Sequence, residues 1–112
     1  MTAPTPLSER LREYAAQLVA GTLREQTAID AVLEKHAANW KVARMGFVDR
    51  CLLRMATYEM MNVSEVPPTV VIDEAIELGK QFGTADTSSF VNGILDAIHQ
   101  SLKTGSLAPP QK

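Results

Sequence analysis

Residues 51–61 read Cys-Leu-Leu-Arg-Met-Ala-Thr-Tyr-Glu-Met-Met, and a helix of this sequence is apolar on nearly every side. Such a helix needs neighbours all round it, so the stretch indicates the centre of a helical bundle. We expect this central helix to begin between Arg44 and Phe47 and to end near Met61. Arg54 and Glu59 interrupt it. Because a buried charge is costly, each must pair with the other, pair with another element or reach solvent.

The segment before the central helix also has a helical pattern. Seven residues keep one helical phase, which favours a single helix from about Ser8 to Ala37. The alternative is a break near Thr27, with Asp30 completing a capping box. Gly21 inside this helix suggests that a neighbouring helix crosses there. The residues in phase are Leu11, Ala15, Leu18, Thr22, Ile29, Val32 and His36.

A third helix is predicted after the central one. The pair Pro67-Pro68 ends the preceding helix, because proline cannot continue it, and is tolerated where a new helix begins. We expect the new helix to run from about Thr69 to Phe82, with Gly83 at the C′ position that glycine favours. Its expected core residues are Ile72, Ile76, Gly79 and Phe82.

The last predicted helix is capped by Thr84, Asp86 or Thr87. Gly93 lies inside it, and we expect another backbone to approach closely there. Apolar residues recur along it at a regular spacing of three and four, which predicts a core-facing stripe. The stripe consists of Phe90, Val91, Ile94, Leu95, Ile98 and Leu102.

These patterns together predict one all-α domain over residues 8–103, between loose tails at residues 1–7 and 104–112. Trp40, in the connector before the central helix, is expected to be an apolar plug between helices. The chain has 112 residues, a size typical of one domain. Its 46% apolar and 21% charged residues indicate a folded chain.

Composition and terminal sequence argue against several classes of protein. No apolar run reaches the ~18 residues of a transmembrane helix, so no membrane association is expected. Residues 1–6 lack the basic and apolar regions of a secretory signal. The lone Cys51 cannot form an internal disulfide, which fits a reducing compartment. We therefore expect a cytoplasmic protein.

The sequence offers no constellation typical of an enzyme. His36 and His99 stand apart from any second His or Cys at metal-ligand spacing. There is no glycine-rich phosphate loop and no nucleophile elbow. Asp73, Glu74 and Glu77 cluster near a helix start, where carboxylates suit the helix dipole. The residues thus predict a non-enzymatic interaction domain without a metal or cofactor.

Five cations cluster within about twenty residues and offer a candidate surface for phosphates. Asp49 is the single acid among them in sequence, and the alternative interpretation is a solvated helix face. Arg50 and Arg54 share one helix and are candidate RNA contacts, whereas Lys35 is on another helix. The cluster consists of Lys35, Lys41, Arg44, Arg50 and Arg54.

Three segments, in this order and spacing, carry a resemblance to a known family. The first is Asn39-Trp40 followed by VDRCLLRMATYEM at residues 48–60. The second is VPPTVVIDEAIEL at residues 66–78, and the third is FGTAD at 82–86 with FVNGILD at 90–96. Together they resemble the NusB family of bacterial transcription antitermination factors, over roughly residues 14–100.

The resemblance implies an all-α fold of two small helical bundles packed together. It also implies binding of box A RNA jointly with the ribosomal protein NusE, in an RNA polymerase elongation complex and without catalysis. Asp49 and Asp86 match the family's NusE-facing surface. Arg54, Thr87 and Phe90 match positions near the RNA path, and Phe90 also fits the core stripe.

The family begins with an Arg-rich RNA-binding helix and a second helix, and the resemblance finds neither in this sequence, so we expect a bundle shortened at its N-terminus. The alternatives for this difference are a truncated chain, a misassigned start and a shortened paralogue. The first helix would then expose an apolar face, from which we expect self-association as a dimer. One alternative is a protein-interaction module that has lost RNA binding. Another is the RNA-binding domain of an RNA methyltransferase, but Asp96 fits the stand-alone family better and 112 residues leave no room for a catalytic domain.

Overall fold

The computed structural model describes residues 6–37 and 41–105, and within these ranges the chain is helical and contains no strand. The prediction of an all-α fold is thereby confirmed. Trp40 lies outside the described residues, as do most of the two expected tails. The elements are α1 (Pro6–Arg24), α2 (Gln26–His36), a 3-10 turn (Val42–Arg44), α3 (Phe47–Asn62), α4 (Pro68–Phe82) and α5 (Thr87–Thr104). No helix in the described ranges is long and apolar enough to span a bilayer.

Helix α3 occupies the centre of the bundle, as its all-round apolarity predicts. It contacts α1, α2, α4 and α5. No side chain from Val48 to Val63 is exposed. Leu53 is completely buried at 0% exposure, whereas its neighbour Leu52 is half-buried and packs against the core. The helix begins at Phe47 and ends one residue beyond the predicted end at Met61.

The single long helix predicted before α3 is wrong, because the chain bends at Glu25 between α1 and α2. The Thr22 hydroxyl donates to the Leu18 carbonyl at 2.6 Å, a back-bonding contact that bends helices. Glu25 has φ −101° and ψ 15°, and Ile29 N–H still donates to its carbonyl at 2.9 Å. The bend lies two residues before the alternative break at Thr27. It lets α1 pack on α3 while α2 packs on both α3 and α5.

Of the two glycines predicted to mark a close approach between helices, one does and the other does not. A Cβ on Gly21 would overlap the Tyr58 ring, which confirms that α3 crosses α1 there. The Gly93 prediction is wrong, because, apart from its chain neighbours and the nearby backbone of α5, no atom of the described residues lies within 4 Å of the position of its missing Cβ. Gly83 ends α4 but has φ −98°, so it does not adopt the left-handed conformation expected of a C′ glycine.

The core is completed by α4 and α5. The buried residues of α4 are Val71, Ile72, Ala75 and Gly79, and those of α5 are Thr87, Val91, Ile94, Leu95 and Ile98. Ile76, Phe90 and Leu102 are half-buried and pack against this core. Phe82 was predicted in the core, yet it is 67% exposed. It is the last residue of α4, where the chain leaves the packed part of the helix.

Candidate functional site

An open cleft of about 330 Å³ lies where the N-terminal ends of α3 and α5 meet. Three of the residues predicted to bind partners, Asp49, Asp86 and Phe90, line it together. The other lining residues are Arg44 at the end of the 3-10 turn and the two residues that follow it, before α3 begins. The complete lining is Arg44, Met45, Gly46, Asp49, Asp86 and Phe90.

Thr87 lies behind this cleft and links its two helices. Its hydroxyl donates to Asp49 Oδ1 at 2.7 Å and accepts from the Thr84 N–H at 2.9 Å. The side chain is only 1% exposed. The structure therefore places Thr87 against Asp49, although the family resemblance puts it near the RNA path.

Charge in the cleft is mixed. Asp86 and Arg44 are exposed, and Asp49 is half-buried in the first turn of α3. Carboxylates at the N-terminus of a helix are stabilised by the helix dipole. Asp86 precedes α5 but makes no side-chain cap, so its carboxylate is not committed to the helix start. The cleft thus offers two carboxylates, one guanidinium and an aromatic ring to a ligand.

Arg50 faces inward to the backbone beside the cleft. One guanidinium nitrogen, Nη1, donates to the carbonyl of Met45 at 3.2 Å and to that of Val42 at 3.5 Å. These bonds tie the 3-10 turn to α3 and fix the cleft wall that Met45 contributes. Arg50 therefore stabilises the backbone next to the cleft and is not itself among the lining residues.

Arg54 lies on another side of α3, about 140° around the helix from Asp49 at ~100° per residue. Its guanidinium makes a two-pronged ion pair with Asp30 of α2, with Nε–Oδ1 at 2.8 Å and Nη2–Oδ2 at 2.9 Å. This hydrogen bonding raises the pKa of Arg54 above its ordinary value. Because the guanidinium and the carboxylate are 21% and 26% exposed, the pair is partly accessible, but it does not line the cleft.

Glu59, the second charge on the central helix, is paired in a similar way. It accepts a hydrogen bond from the Tyr14 hydroxyl of α1. Burial, and then the bond to Glu59, raise the pKa of Tyr14 well above its ordinary value. Both charges of the central stretch therefore pair with other helices, one of the outcomes that the sequence left open.

The basic cluster divides in the folded chain. Arg50 and Arg54 are held by internal hydrogen bonds, while Lys35, Lys41 and Arg44 are exposed. Asp30, which is distant in sequence, neutralises Arg54. Sequence reasoning included Arg44 in this cluster but did not single it out, although it is the cation that lines the cleft.

No group of three or more His, Cys, Asp or Glu is placed to hold a metal within residues 6–37 and 41–105. His36 instead links two helices, since its Nδ1 lies 2.8 Å from the Val32 carbonyl and its Nε2 lies 2.8 Å from the Ser101 hydroxyl. Neither finding adds a catalytic centre to the cleft.

Comparison with known proteins gives a consistent result. The model of the NusB family matches residues 1–100. Proteins named transcription antitermination protein NusB match at 42% identity in Desulforapulum autotrophicum, over 82% of this chain and 64% of the relative. The same name belongs to matches in Syntrophotalea carbinolica, at 44% over 87% and 62%, and in Nitratidesulfovibrio vulgaris, at 47% over 86% and 63%. The chain thus spans about three fifths of the length of these relatives.

Two solved structures share the fold. T. maritima NusB superimposes with a TM-score of 0.76 at 35% identity, covering 90% of this chain and 67% of that one. A chain in a crystal structure of a plectonemic RNA supercoil gives a TM-score of 0.77 at 34% identity, covering 82% and 67%. These likenesses agree with the helical arrangement around α3.

Proposed function

We propose that this chain, because it belongs to the NusB family, acts in transcription antitermination as a non-catalytic factor. In this proposal it binds box A RNA jointly with NusE in the RNA polymerase elongation complex, in the cytoplasm. The observation that carries the proposal is the family match over residues 1–100, with relatives named as antitermination proteins rather than enzymes.

Within the cleft at the start of α3 and α5, we assign different ligands to different residues. Asp49 and Asp86 match the family's NusE-facing surface, and their carboxylates offer acceptors to cationic or hydrogen-bond-donating groups of a protein, so we assign NusE to them. Arg44 offers a cation for phosphate, and the Phe90 ring offers a surface for stacking a base. The two ligands would then meet at one cleft, which explains how NusE and RNA can bind jointly.

RNA binding by this chain alone is expected to be weak. Lys35, Lys41 and Arg44 are the exposed members of the basic cluster, so two or three phosphates are within reach. For single-stranded RNA, each phosphate neutralised contributes about −0.7 to the slope of log association constant against log salt concentration. We therefore expect a total slope of about −1.5 to −2. Fluorescence anisotropy of labelled box A RNA measures this slope, and adding NusE should tighten binding.

Arg44→Ala should make the slope shallower by about 0.7, one phosphate contact. Lys80→Ala serves as the matched control, because Lys80 is an exposed cation on α4, beside Glu77 and outside the cleft lining. A slope steeper than about −4 would require an RNA surface other than this cluster. Absence of binding even with NusE would favour the alternative of a protein-interaction module without RNA binding.

Self-association stays a prediction, and a groove between α1 and α3 supports it. Val19 and Leu23 are 47% and 64% exposed there, beside Cys51 and Met55. Exposed apolar groups of this kind favour contact with a second copy. Sedimentation velocity should detect a dimer, and Leu23→Glu should weaken it. Leu78→Glu, at a 42% exposed position on α4, is the control and should leave the dimer unchanged. A clean monomer at high concentration would contradict the prediction.

A further inference from the structure

We infer that Thr87 is a positioning residue: its buried hydroxyl orients the Asp49 carboxylate toward the cleft, where Asp49 binds the protein partner. The inference rests on the proposed function and deepens it. It gives Thr87 a role through Asp49 rather than through contact with RNA.

The direction of the hydrogen bonds at Thr87 is determined by its neighbours. The Thr84 backbone N–H can only donate, so the Thr87 oxygen accepts from it at 2.9 Å. The single hydroxyl hydrogen is then donated to Asp49 Oδ1, 2.7 Å away, because this charged acceptor is much closer than the Thr84 hydroxyl oxygen at 3.4 Å. A hydrogen bond to a carboxylate is shorter and stronger than one between neutral groups. It holds one carboxylate oxygen of Asp49 and leaves the other to face a ligand.

Only one of the two bonds has a counterpart in helix capping. The Thr87 hydroxyl accepts from the N–H of Thr84, three residues earlier, as in the backward half of a capping box. Its second bond goes to Asp49, 38 positions away on α3, and is not part of a helix cap. The two bonds together therefore join the corner before α5 to the start of α3.

The corner between α4 and α5 is built to enclose Thr87. A Cβ on Gly83 would overlap the Thr87 side chain, and a Cβ on Gly79 would lie 3.0 Å from Thr87 Cγ2. Gly83 has φ −98°, which any residue can adopt, so space rather than backbone conformation requires glycine there. The absence of side chains at these two glycines thus makes room for the buried side chain of Thr87.

Two substitutions separate the hydroxyl from the shape of the side chain. Thr87→Ser keeps the hydroxyl, whereas Thr87→Val keeps the shape and leaves both Thr84 N–H and Asp49 without their partner. By calorimetry, Thr87→Val should weaken NusE binding about tenfold, since a hydrogen bond to a charged group is lost, and Thr87→Ser should stay close to the unaltered chain. In an Asp49→Ala background, Thr87→Val should cause no further loss. Denaturant melts of every variant verify that each is folded.

A second measurement does not depend on NusE. Three-bond couplings at the Asp49 β-carbon, measured by NMR, should report one χ1 rotamer in the unaltered chain and in Thr87→Ser, and rotamer averaging in Thr87→Val. If NusE fails to bind the unaltered chain, the proposed function fails, yet these couplings still decide whether Thr87 positions Asp49. A single Asp49 rotamer in folded Thr87→Val would overturn the inference. The inference would also be overturned if Thr87→Val lowered the affinity for NusE equally in the unaltered chain and in the Asp49→Ala background.

Discussion

Replacing Leu53 by alanine should lower the free energy of unfolding by about 2–5 kcal/mol. Leu53 is 0% exposed in α3, the helix that contacts every other helix of the bundle. Truncation removes buried apolar contacts and leaves a cavity. The surrounding helices can relax only partly into this cavity, so most of its cost remains. For a domain whose whole stability is typically about 5–15 kcal/mol, this loss is large. Urea denaturation followed by circular dichroism measures it.

Leu52→Ala is the matched control, since it makes the same chemical change one residue away on the same helix. Leu52 is half-buried, so its truncation should cost clearly less than that of Leu53. If Leu53→Ala costs less than about 1 kcal/mol, the site is not the enclosed core position that its burial indicates. A larger loss at Leu52 than at Leu53 would likewise contradict the central position of Leu53.

Changing Asp49 to lysine should weaken NusE binding about thirtyfold or more, because losing one partner of a close charged contact costs at least ~2 kcal/mol. The substitution reverses the charge of a half-buried group in the cleft and removes the bond from Thr87. The fold should persist, since Asp49 is outside the core cluster and its place in the first turn of α3 contributes about 0.3–1 kcal/mol through the helix dipole. Calorimetry with purified NusE measures the affinity.

Asp73→Lys provides the control for this charge reversal. Asp73 is an exposed carboxylate near the start of α4, outside the cleft lining, and its replacement changes the net charge by the same amount. NusE should bind this variant as it binds the unaltered chain. If the folded Asp49→Lys variant binds NusE as tightly as the unaltered chain does, Asp49 is not part of the partner surface.

The parts of the fold that follow from local sequence could be predicted. Residues 51–61 are apolar all round, and only a central helix satisfies that pattern. Pro67-Pro68 separates α3 from α4 because proline cannot continue a helix, and the predicted start at Thr69 lies one residue from the observed start at Pro68. Family resemblance brought Asp49, Asp86 and Phe90 to attention, and the structure places all three in one cleft.

Contacts between distant segments could not be predicted in the same way. The Arg54–Asp30 pair joins residues 24 apart, Thr87 and Asp49 are 38 apart, and Tyr14 and Glu59 are 45 apart. Such pairings depend on how the helices cross, which periodicity within one helix does not determine.

The bend at Glu25 could not be predicted either, because that residue is neither proline nor glycine. The feature that explains the bend is the hydrogen bond from the Thr22 hydroxyl to the Leu18 carbonyl in the preceding turn.

Transcription through a terminator tests the proposed antitermination activity most directly. The measurement is the fraction of transcripts that pass the terminator, with purified RNA polymerase, NusE and this chain, on templates with and without box A. We expect the chain to raise this fraction only when box A and NusE are both present, and Asp49→Lys to abolish the increase. An unchanged fraction with all components present, or an equal increase without box A, would contradict the account.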